Sequence, residues 1–395
     1  KQDTPREVSG GFYLTRLDHL LDPTRIYKLK TSDFERINPN TKTCPVFRTS
    51  QDAMLTTQIY RQCKVLINDA TRENIWHIKF ARMFDMSNDS HLFYTYSQLV
   101  DKGAKLEGNK FLLNNQFYVP LYEGKMIWHY NHHFGTINEG TKEKPARQMA
   151  MPTSDELKNP NHNIMPWYWI PKEDMDNRLI KTDAKGNIIW EWSHKWLIGF
   201  RDITNATHDR TFVISLIPDA CGVGHSATLL FVERGTMPGA LLLGMMSSLV
   251  FDYATRQKIG GSHASISFVK QFPVLTPEQV SSSGYEQDIV ERVARLCWFN
   301  HDLDGWMEEL REECPEEYDL PEEPVIWDEE QRTVWQAELD AIFAHLYGLT
   351  TEDLRYILDP EDVCGKGCIN ETFRVLKERE LLSLIHISEP TRRVV

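Results

Sequence analysis

The segment Arg210–Gly235, RTFVISLIPDACGVGHSATLLFVERG, distinguishes an α/β cofactor-binding fold from a fold in which two strands follow each other. It begins with an apolar run that is typical of a β-strand and continues into the glycine turn DACGVG. In an α/β cofactor-binding fold, a helix begins directly after such a turn. The residues that follow here, ATLLFVERG, are typical of another strand. The pattern therefore predicts a tight turn between two strands.

Short strands are predicted on both sides of this turn. Strand-like alternation occurs in GFYLTR, RIYKLK, IWHIKFARMF, KFLLNNQFYVPLYEG, WYWIP, NIIWEW and WLIGFRDIT. Helical spacing occurs in RTSQDAMLTTQIYRQ, with Ser50 as the predicted N-cap, and in GALLLGMMSSLVFDYATRQK, which stops at Gly260. The mixture predicts an α+β fold.

The character of the chain changes after Pro273, where helical spacing replaces alternation. Helices are predicted in YEQDIVERVARLCWF, in VWQAELDAIFAHLYGL and in LTTEDLRYIL, where Thr350 and Asp353 form a capping arrangement. We therefore expect a linker or cut end at 1–10, a strand-rich domain at 11–275 and a helical acidic region at 276–381. A long polar surface loop is expected at 138–165.

The formal charge of −13 is distributed unevenly. Residues 1–280 contain 33 Lys and Arg against 29 Asp and Glu, a balance of +4, whereas residues 281–395 contain 11 against 28, a balance of −17. The acidic block is interpreted as a solvated helical face. The first 280 residues can therefore lie on a polyanion without bulk repulsion.

The two ends of the sequence indicate a gene fragment. The chain begins with Lys1 and not with methionine, and LSLIHISEPTR near the other end resembles a translated sequencing adapter. Residues 382–395 are therefore interpreted as a cloning or sequencing artefact. Seven scattered cysteines, no secretory signal and no long apolar run predict a cytoplasmic protein with no membrane partner.

Two enzyme sites are alternatives to a binding function. Asp219 and its glycine turn could form an S-adenosylmethionine site, and a helix directly after Gly224 would favour this free-standing methyltransferase. Glu123 and Lys125 match half of a Mg²⁺ nuclease motif, in which the carboxylate holds the metal and the lysine steadies hydroxide. An aspartate that meets Glu123 at the head of a strand would favour the nuclease.

The histidines of PLYEGKMIWHYNHHFGTI raise the question of a metal site. No cysteine or carboxylate pair follows them at ligand spacing, and Cys364 and Cys368 have no second pair, so no metal ligand is predicted. Six of the eleven tryptophans lie between residues 128 and 196, and Trp167, Trp190 and Trp192 are expected in the core. Two other stretches, RDITNATHDRT and FDYATRQKIGGSHASISFVKQFPV, combine side chains that suit phosphate and base-edge contacts.

Several stretches together resemble a known family. They are INPNTKTCPVFRTSQDA, ARMFDMSNDSHLF, PLYEGKMIWHYNHHFGT, WYWIP, GFRDITNATHDRT, FDYATRQKIGG with KQFPVL, HLYGLTTEDLRYILD and ETFRVLK. In this order they resemble the C-terminal half of large adenine-N6 DNA methyltransferases, namely their TaqI-like target-recognition domain and the helices after it. The resemblance covers about residues 11–380. It departs at Asn131-His132-His133, where the family usually has Asp-His-Arg, and at Met246-Ser247-Ser248, where it usually has Leu-Asn-Ser.

The resemblance implies the target-recognition part of a site-specific methyltransferase from a restriction–modification or related phage-defence system. The partners implied are double-stranded DNA and an upstream methyltransferase domain of the same parent protein. That domain would bind S-adenosylmethionine and flip the adenine, and Mg²⁺ would be used only if a nuclease domain were attached. No catalytic or cofactor-binding residue is expected in this chain. The predicted DNA-binding residues are Lys125, His129, His132, His133, Arg201, Arg210, Arg256, Lys258 and His263.

Overall fold

A computed structural model describes residues 7–138, 148–206, 208–365 and Phe373. Within these residues the fold is α+β, with several small sheets and a helical C-terminal region, which confirms the predicted fold class. The proposed adapter segment at 382–395, the second cysteine of the Cys364–Cys368 pair and most of 366–381 lie outside the described residues.

The described strands are short, and most pair with strands near them in sequence. They are β1 (Glu7–Gly10), β2 (Tyr27–Lys30), β3 (Lys64–Val65), β4 (Ile78–Ala81), β5 (Lys105–Glu107), β6 (Lys110–Leu113), β7 (Gln116–Tyr122), β8 (Thr136–Asn138), β9 (Gln148–Ala150), β10 (Trp169–Pro171), β11 (Ile180–Thr182), β12 (Ile188–Glu191), β13 (Trp196–Arg201), β14 (Ile214–Pro218), β15 (Gly222–Val223), β16 (Ala227–Val232) and β17 (Pro273–Val274).

Two sheets organise the strand-rich region. The first is antiparallel, with strand order β14-β13-β16-β4. The second has strand order β10-β7-β6-β5, and β15 pairs with β7 in parallel. Because β15 leads directly into β16, the glycine turn links the two sheets.

The described helices become longer after residue 235. They are α1 (Thr31–Ile37), α2 (Ser50–Gln62), α3 (Tyr96–Asp101), α4 (Ser154–Leu157), α5 (Lys172–Arg178), α6 (Thr236–Ser247), α7 (Leu249–Arg256), α8 (Ile266–Val269), α9 (Pro277–Ser281), α10 (Glu286–Cys297), α11 (Asp304–Glu313), α12 (Glu329–Leu346), α13 (Thr351–Leu358) and α14 (Pro360–Cys364).

Helix α6 is the centre of the core. Ten of its twelve residues are buried, because it packs on β14 and β16 on one side and on α10, α11 and α12 on the other. Gly239 approaches the ring of Trp196, and Gly244 approaches Val293, so both sides of the helix are in close contact. The strand-rich and helical regions therefore share one hydrophobic core across the predicted boundary at 275.

The long helix predicted over GALLLGMMSSLVFDYATRQK is two helices. Ser248 is extended, with φ −70° and ψ 153°, and its hydroxyl accepts a hydrogen bond from Phe251 N at the start of α7. A serine that caps a new helix competes with helix continuation, which explains the break. Among the described helices, none is by itself long and apolar enough to cross a membrane, although α6 and α7 meet these criteria together across a 62° bend.

Three local predictions differ from the structure at their boundaries. Residues 7–10, expected as linker, form β1 and pair with β2. The loop expected at 138–165 contains β9 and α4 within its described part. Helix α2 is capped by Thr49 rather than Ser50, since the Thr49 hydroxyl accepts a hydrogen bond from Asp52 N. The Thr350–Asp353 capping box is confirmed.

Candidate nucleic-acid interface

Several polar side chains lie at one end of the first sheet. Strand β13 ends at Arg201, which pairs with Ala227 at the start of β16. Strand β4 runs antiparallel to β16 and ends at Ala81, so Arg82 follows at the same end of the sheet. The topology therefore brings together cations that are more than a hundred residues apart in sequence.

The turn after β7 lies against the same end of the sheet, because the backbone of Gly124 approaches that of Ser226 closely. Gly124 N donates a hydrogen bond to the hydroxyl of Ser226, with a distance of 3.0 Å. A Cβ on Gly124 would lie 2.4 Å from the carbonyl oxygen of Ser226, so glycine is required here. This approach places Lys125 beside Arg201.

Arg201 is held on an aromatic support. Its Nε donates to Gly124 O at 2.7 Å, and its Nη2 donates to Ile127 O at 2.6 Å. The guanidinium lies 4.8 Å from the ring centroid of Trp128 and 5.2 Å from that of Phe134. These two rings are stacked on each other, with centroids 5.1 Å apart. Burial lowers the pKa of Arg201 to about 10, so it remains charged at neutral pH.

Lys125 is partly exposed and interacts with one carboxylate. Its Nζ lies 3.1 Å from Glu123 Oε2 and 5.4 Å from the ring centroid of Trp167. In the part of the chain that the structure describes, Glu123 joins no cluster of three metal-ligating side chains. The nuclease alternative, which an aspartate beside Glu123 would favour, stays a prediction.

His263 lies at the same end of the sheet, as part of an exposed loop. Ala264 N donates to Asp202 O at 2.7 Å, and the His263 Nδ1 lies 3.0 Å from Asp202 Oδ2. The neighbouring Ile203 is 62% exposed. We define the sheet-end surface by these exposed or partly exposed residues: Arg82, Lys125, Trp128, Phe134, Arg201, Ile203 and His263.

Arg256 does not reach the surface, so its predicted DNA contact is wrong. Its Nε donates to Asp252 Oδ2 at 2.9 Å, in an ion pair whose side chains are 3% and 0% exposed. Its other nitrogens donate to the carbonyl oxygens of Ala206, His208 and Asp209. These carbonyl oxygens belong to the loop before β14, so Arg256 holds this loop in place.

Lys258 is partly exposed, but its ammonium group is held by acceptors of the fold, and its DNA contact stays a prediction. Its ammonium group donates to Ile37 O, to Asn38 Oδ1 at 3.0 Å and to Gln271 O at 2.7 Å. Burial lowers the pKa of this ammonium group well below its ordinary value. Lys258 therefore links the turn at Asn38 to the segment that precedes β17.

Arg210 is intermediate between the accessible cations of the sheet-end surface and the buried Arg256. It is partly exposed, but its Nε lies 3.3 Å from His129 Nε2 and its Nη2 donates to Ser247 O. Both partners lie within the fold, near the break between α6 and α7. Arg210 therefore links the segment of His129 to the end of α6. Its DNA contact stays a prediction.

The histidines expected on the DNA-facing surface are buried, so that placement is wrong. His129 is 6% exposed, His132 is 1% exposed and His133 is 0% exposed. The rings of His132 and His133 pack against Phe299, with centroids 4.8 Å and 5.6 Å away. Burial lowers the pKa values of His129 and His132 well below the ordinary histidine value. Because all three side chains are buried, they cannot reach a phosphate on a DNA surface.

The glycine turn at Asp219 has the predicted form. Strand β14 ends at Pro218, β15 follows at Gly222–Val223, and β16 begins at Ala227. Since a strand follows Gly224 and no helix begins there, the strand–turn–helix unit required by the free-standing methyltransferase is absent at this turn. The turn is a structural link between sheets.

The tryptophans divide between core and surface. Trp192 is 6% exposed and packs against Trp196, as expected. Trp167 and Trp190 are partly exposed and lie under lysines, so the prediction that they fill the core holds only in part. Sequence reasoning also missed Arg82, Trp128 and Phe134, whose shared position depends on strand pairing.

Comparisons with known proteins give limited information. No protein-family model and no curated protein matches the chain. Among solved structures, the chain is similar to the type IIG restriction endonuclease BpuSI, with a TM-score of 0.34 and 11% sequence identity over 82% of this chain. It spans 35% of the length of BpuSI. At this TM-score and identity, neither a family nor a residue role is transferred to this chain.

Proposed function

We propose that this chain binds double-stranded DNA through the sheet-end surface. In this proposal it is the target-recognition part of an adenine-N6 DNA methyltransferase from a restriction–modification or related phage-defence system. The observation that carries the DNA-binding proposal is the support of Arg201 by Trp128 and Phe134, next to Lys125. The methyltransferase context comes from the ordered stretches that resemble that family.

The hydrogen-bond donors of Arg201 suit a contact to a base edge or to a phosphate. Arginine presents a planar fork of donors that matches the O6 and N7 acceptors of guanine or two phosphate oxygens. In the described part of the chain, Nε and Nη2 donate to backbone carbonyls, whereas Nη1 has no hydrogen-bond partner. Because the side chain is already held in one orientation, little conformational entropy is lost when DNA binds.

The surroundings of Arg201 suit a duplex. Lys125 can neutralise a phosphate, and phosphate contacts supply most of the sequence-independent affinity. Ile203 is exposed beside His263 and offers an apolar group for a thymine methyl. Charged, donor and apolar side chains are therefore all present on one surface.

The form of the glycine turn supports a separation between DNA binding by this chain and cofactor binding by another domain of the parent protein. The turn at Asp219 leads into a strand, so it lacks the helix that receives a cofactor. In our proposal, S-adenosylmethionine and the flipped adenine bind to an upstream methyltransferase domain of the parent protein. Mg²⁺ would be required only by an attached nuclease domain.

The test is fluorescence anisotropy of this chain on a labelled duplex at several salt concentrations. We expect Lys125→Ala to weaken binding to all sequences and to lower the salt slope by about one. Arg201→Lys keeps the charge but loses the fork, so we expect a loss of affinity of about 1–3 kcal/mol on a sequence that Arg201 reads.

Lys172→Ala is the matched control. Lys172 is 46% exposed and lies 2.6 Å from Asp176, much as Lys125 is 39% exposed and lies 3.1 Å from Glu123. It follows β10, at the opposite end of β7 from Lys125. If Lys125→Ala and Arg201→Lys bind DNA as Lys172→Ala does, the sheet-end surface is not the DNA-binding surface.

A further inference from the structure

We propose that His132, His133 and Asp302 bind a divalent transition-metal ion, for which Zn²⁺ is the best fit. One donor atom from each of the three residues lies within 4.8 Å of the other two. It is the one three-residue cluster of His, Cys, Asp or Glu with such spacing that the described part of the chain contains. The proposal is independent of DNA binding.

The spacing of the donor atoms is close to that of a ligand shell. His133 Nε2 lies 2.9 Å from Asp302 Oδ2, and the rings of His132 and His133 have centroids 4.3 Å apart. Zinc ligands at about 2.0–2.2 Å from the ion lie roughly 3–3.5 Å from each other in a tetrahedral site. The three side chains therefore need only small rotations to coordinate one ion.

Buried nitrogen atoms without partners are the second observation. His132 Nε2 and His133 Nδ1 are buried and have no hydrogen-bond partner in the structure. The side chains belong to residues that are 1% and 0% exposed, and such orphaned polar atoms are rare in folded proteins. His162 Nε2 is also buried without a partner, and its ring lies 6.2 Å from that of His133. A bound ion would account for the unpartnered Nε2 of His132.

The donor types of the site also suit a metal. Metal ions bind imidazole through an unprotonated ring nitrogen, and His132 and His133 are 1% and 0% exposed. Asp302 supplies the negative charge and remains 25% exposed at its side chain. Two imidazoles and one carboxylate are donors that first-row transition ions prefer, whereas Mg²⁺ and Ca²⁺ prefer oxygen ligands.

The carboxylate side of the site borders a cavity. Asp302 lines a cavity of about 320 Å³ together with Tyr122, Asp219, Cys221 and Lys195. Its side chain is 25% exposed, so a water molecule can approach this carboxylate as a further ligand of the ion.

The ion would join the two regions of the molecule. His132 and His133 belong to the strand-rich region, and Asp302 belongs to the short helical turn His301–Leu303 in the acidic region. Asn300 caps this turn by accepting a hydrogen bond from Asp302 N. The site is thus built from two elements that are already positioned by the fold.

The experiment is metal binding by the full chain after dialysis against a chelator. Zn²⁺ is added and the bound metal is measured by calorimetry and elemental analysis, and Co²⁺ is used as a spectroscopic probe of the ligand geometry. We expect one Zn²⁺ per chain, no competition from a large excess of Mg²⁺, and loss of binding in His132→Gln and Asp302→Asn. Circular dichroism checks that each variant is folded.

Two matched controls should keep the site. Asp304→Asn changes a carboxylate that neighbours the same turn and pairs with His301, and His129→Gln changes a buried histidine of the same segment. Both should still bind one Zn²⁺. Absence of Zn²⁺ and Co²⁺ binding by the folded parent chain would overturn the proposal, as would unchanged binding in Asp302→Asn and His132→Gln or displacement of Zn²⁺ by Mg²⁺.

Discussion

Two groups of basic side chains look alike in the sequence but lie in opposite environments. Lys125, Arg201 and His263 lie on the sheet-end surface, and each is at least partly accessible. Arg256 and Lys258 follow a similar local pattern of Arg, Lys and small polar residues, yet both donate to internal carbonyl oxygens. The first group is available to a ligand, whereas the second group stabilises the fold.

The difference shows that residue type predicts chemistry better than it predicts location. Asp252 is buried and accepts hydrogen bonds from Thr211 N and Phe212 N, which leaves its second oxygen for Arg256. Asp202 is also largely buried, but its partners His263 and Arg82 are both more than half exposed at their side chains. Both carboxylates are buried, so the burial of the partner carboxylate does not by itself decide whether a cation is buried or exposed.

The largest expected effect comes from breaking the internal ion pair. Arg256→Met leaves Asp252 buried without its cation, so we expect the free energy of unfolding to fall by about 3–5 kcal/mol. Arg82→Met removes an exposed partner of Asp202 at 3.8 Å and should cost less than about 1 kcal/mol. Denaturant unfolding monitored by tryptophan fluorescence measures both. Equal losses would contradict the contrast between the two groups.

A second effect is expected at the turn that positions Lys125. Gly124→Ala places a Cβ against the Ser226 carbonyl, so we expect a loss of about 1–3 kcal/mol of stability. Gly260→Ala is the control, since a Cβ there meets no atom within 4 Å, and its effect should stay within about 0.5 kcal/mol. Thermal unfolding compares the two variants. A fully stable Gly124→Ala would mean that the turn can move away from β16.

A third effect concerns pH and the buried His129. Burial lowers its pKa in the folded chain, and the nearby Arg210 and Arg201 lower it further. The unfolded chain takes up a proton near pH 6.5, so stability is unaffected above this pH and is lost as the pH falls below it. In chelator-treated protein, we expect His129→Gln to reduce this loss by about 1.4 kcal/mol per pH unit. Denaturant unfolding of the parent chain and of His129→Gln at pH 7.5 and pH 5.5 measures this difference. The same pH dependence in both proteins would count against a neutral His129.

The smallest effect on stability is expected on the sheet-end surface itself. Lys125→Ala removes a partly exposed cation, so the free energy of unfolding should change by less than about 0.5 kcal/mol. Lys258→Met, in contrast, should destabilise the fold, because three internal acceptors lose their donor. Denaturant unfolding compares the two variants. A similar, small change in both would remove the distinction between surface and interior lysines.

The fold class was predictable from local patterns, and the interface only in part. Most of the alternating strands, the strand after Gly224 and the Thr350 cap are short-range features that the structure has, whereas GFYLTR at residues 11–16 forms no strand. The break at Ser248 was missed because apolar residues continue on both sides of it, and only the packing of α6 and α7 in different directions reveals it. Lys125 and Arg201 were predicted on one surface, but their aromatic support was not.

The sequence by itself determined the α+β class, the charge division between 1–280 and 281–395, and the absence of a cofactor-type helix after the glycine turn. These properties depend on neighbouring residues, whose periodicity and capping act over a few positions. Only the tertiary structure decided which cations are accessible. It also brought Asp302 to His133, although 169 positions separate them in sequence. Both outcomes depend on long-range packing, because burial and the approach of Asp302 to His133 involve distant parts of the chain.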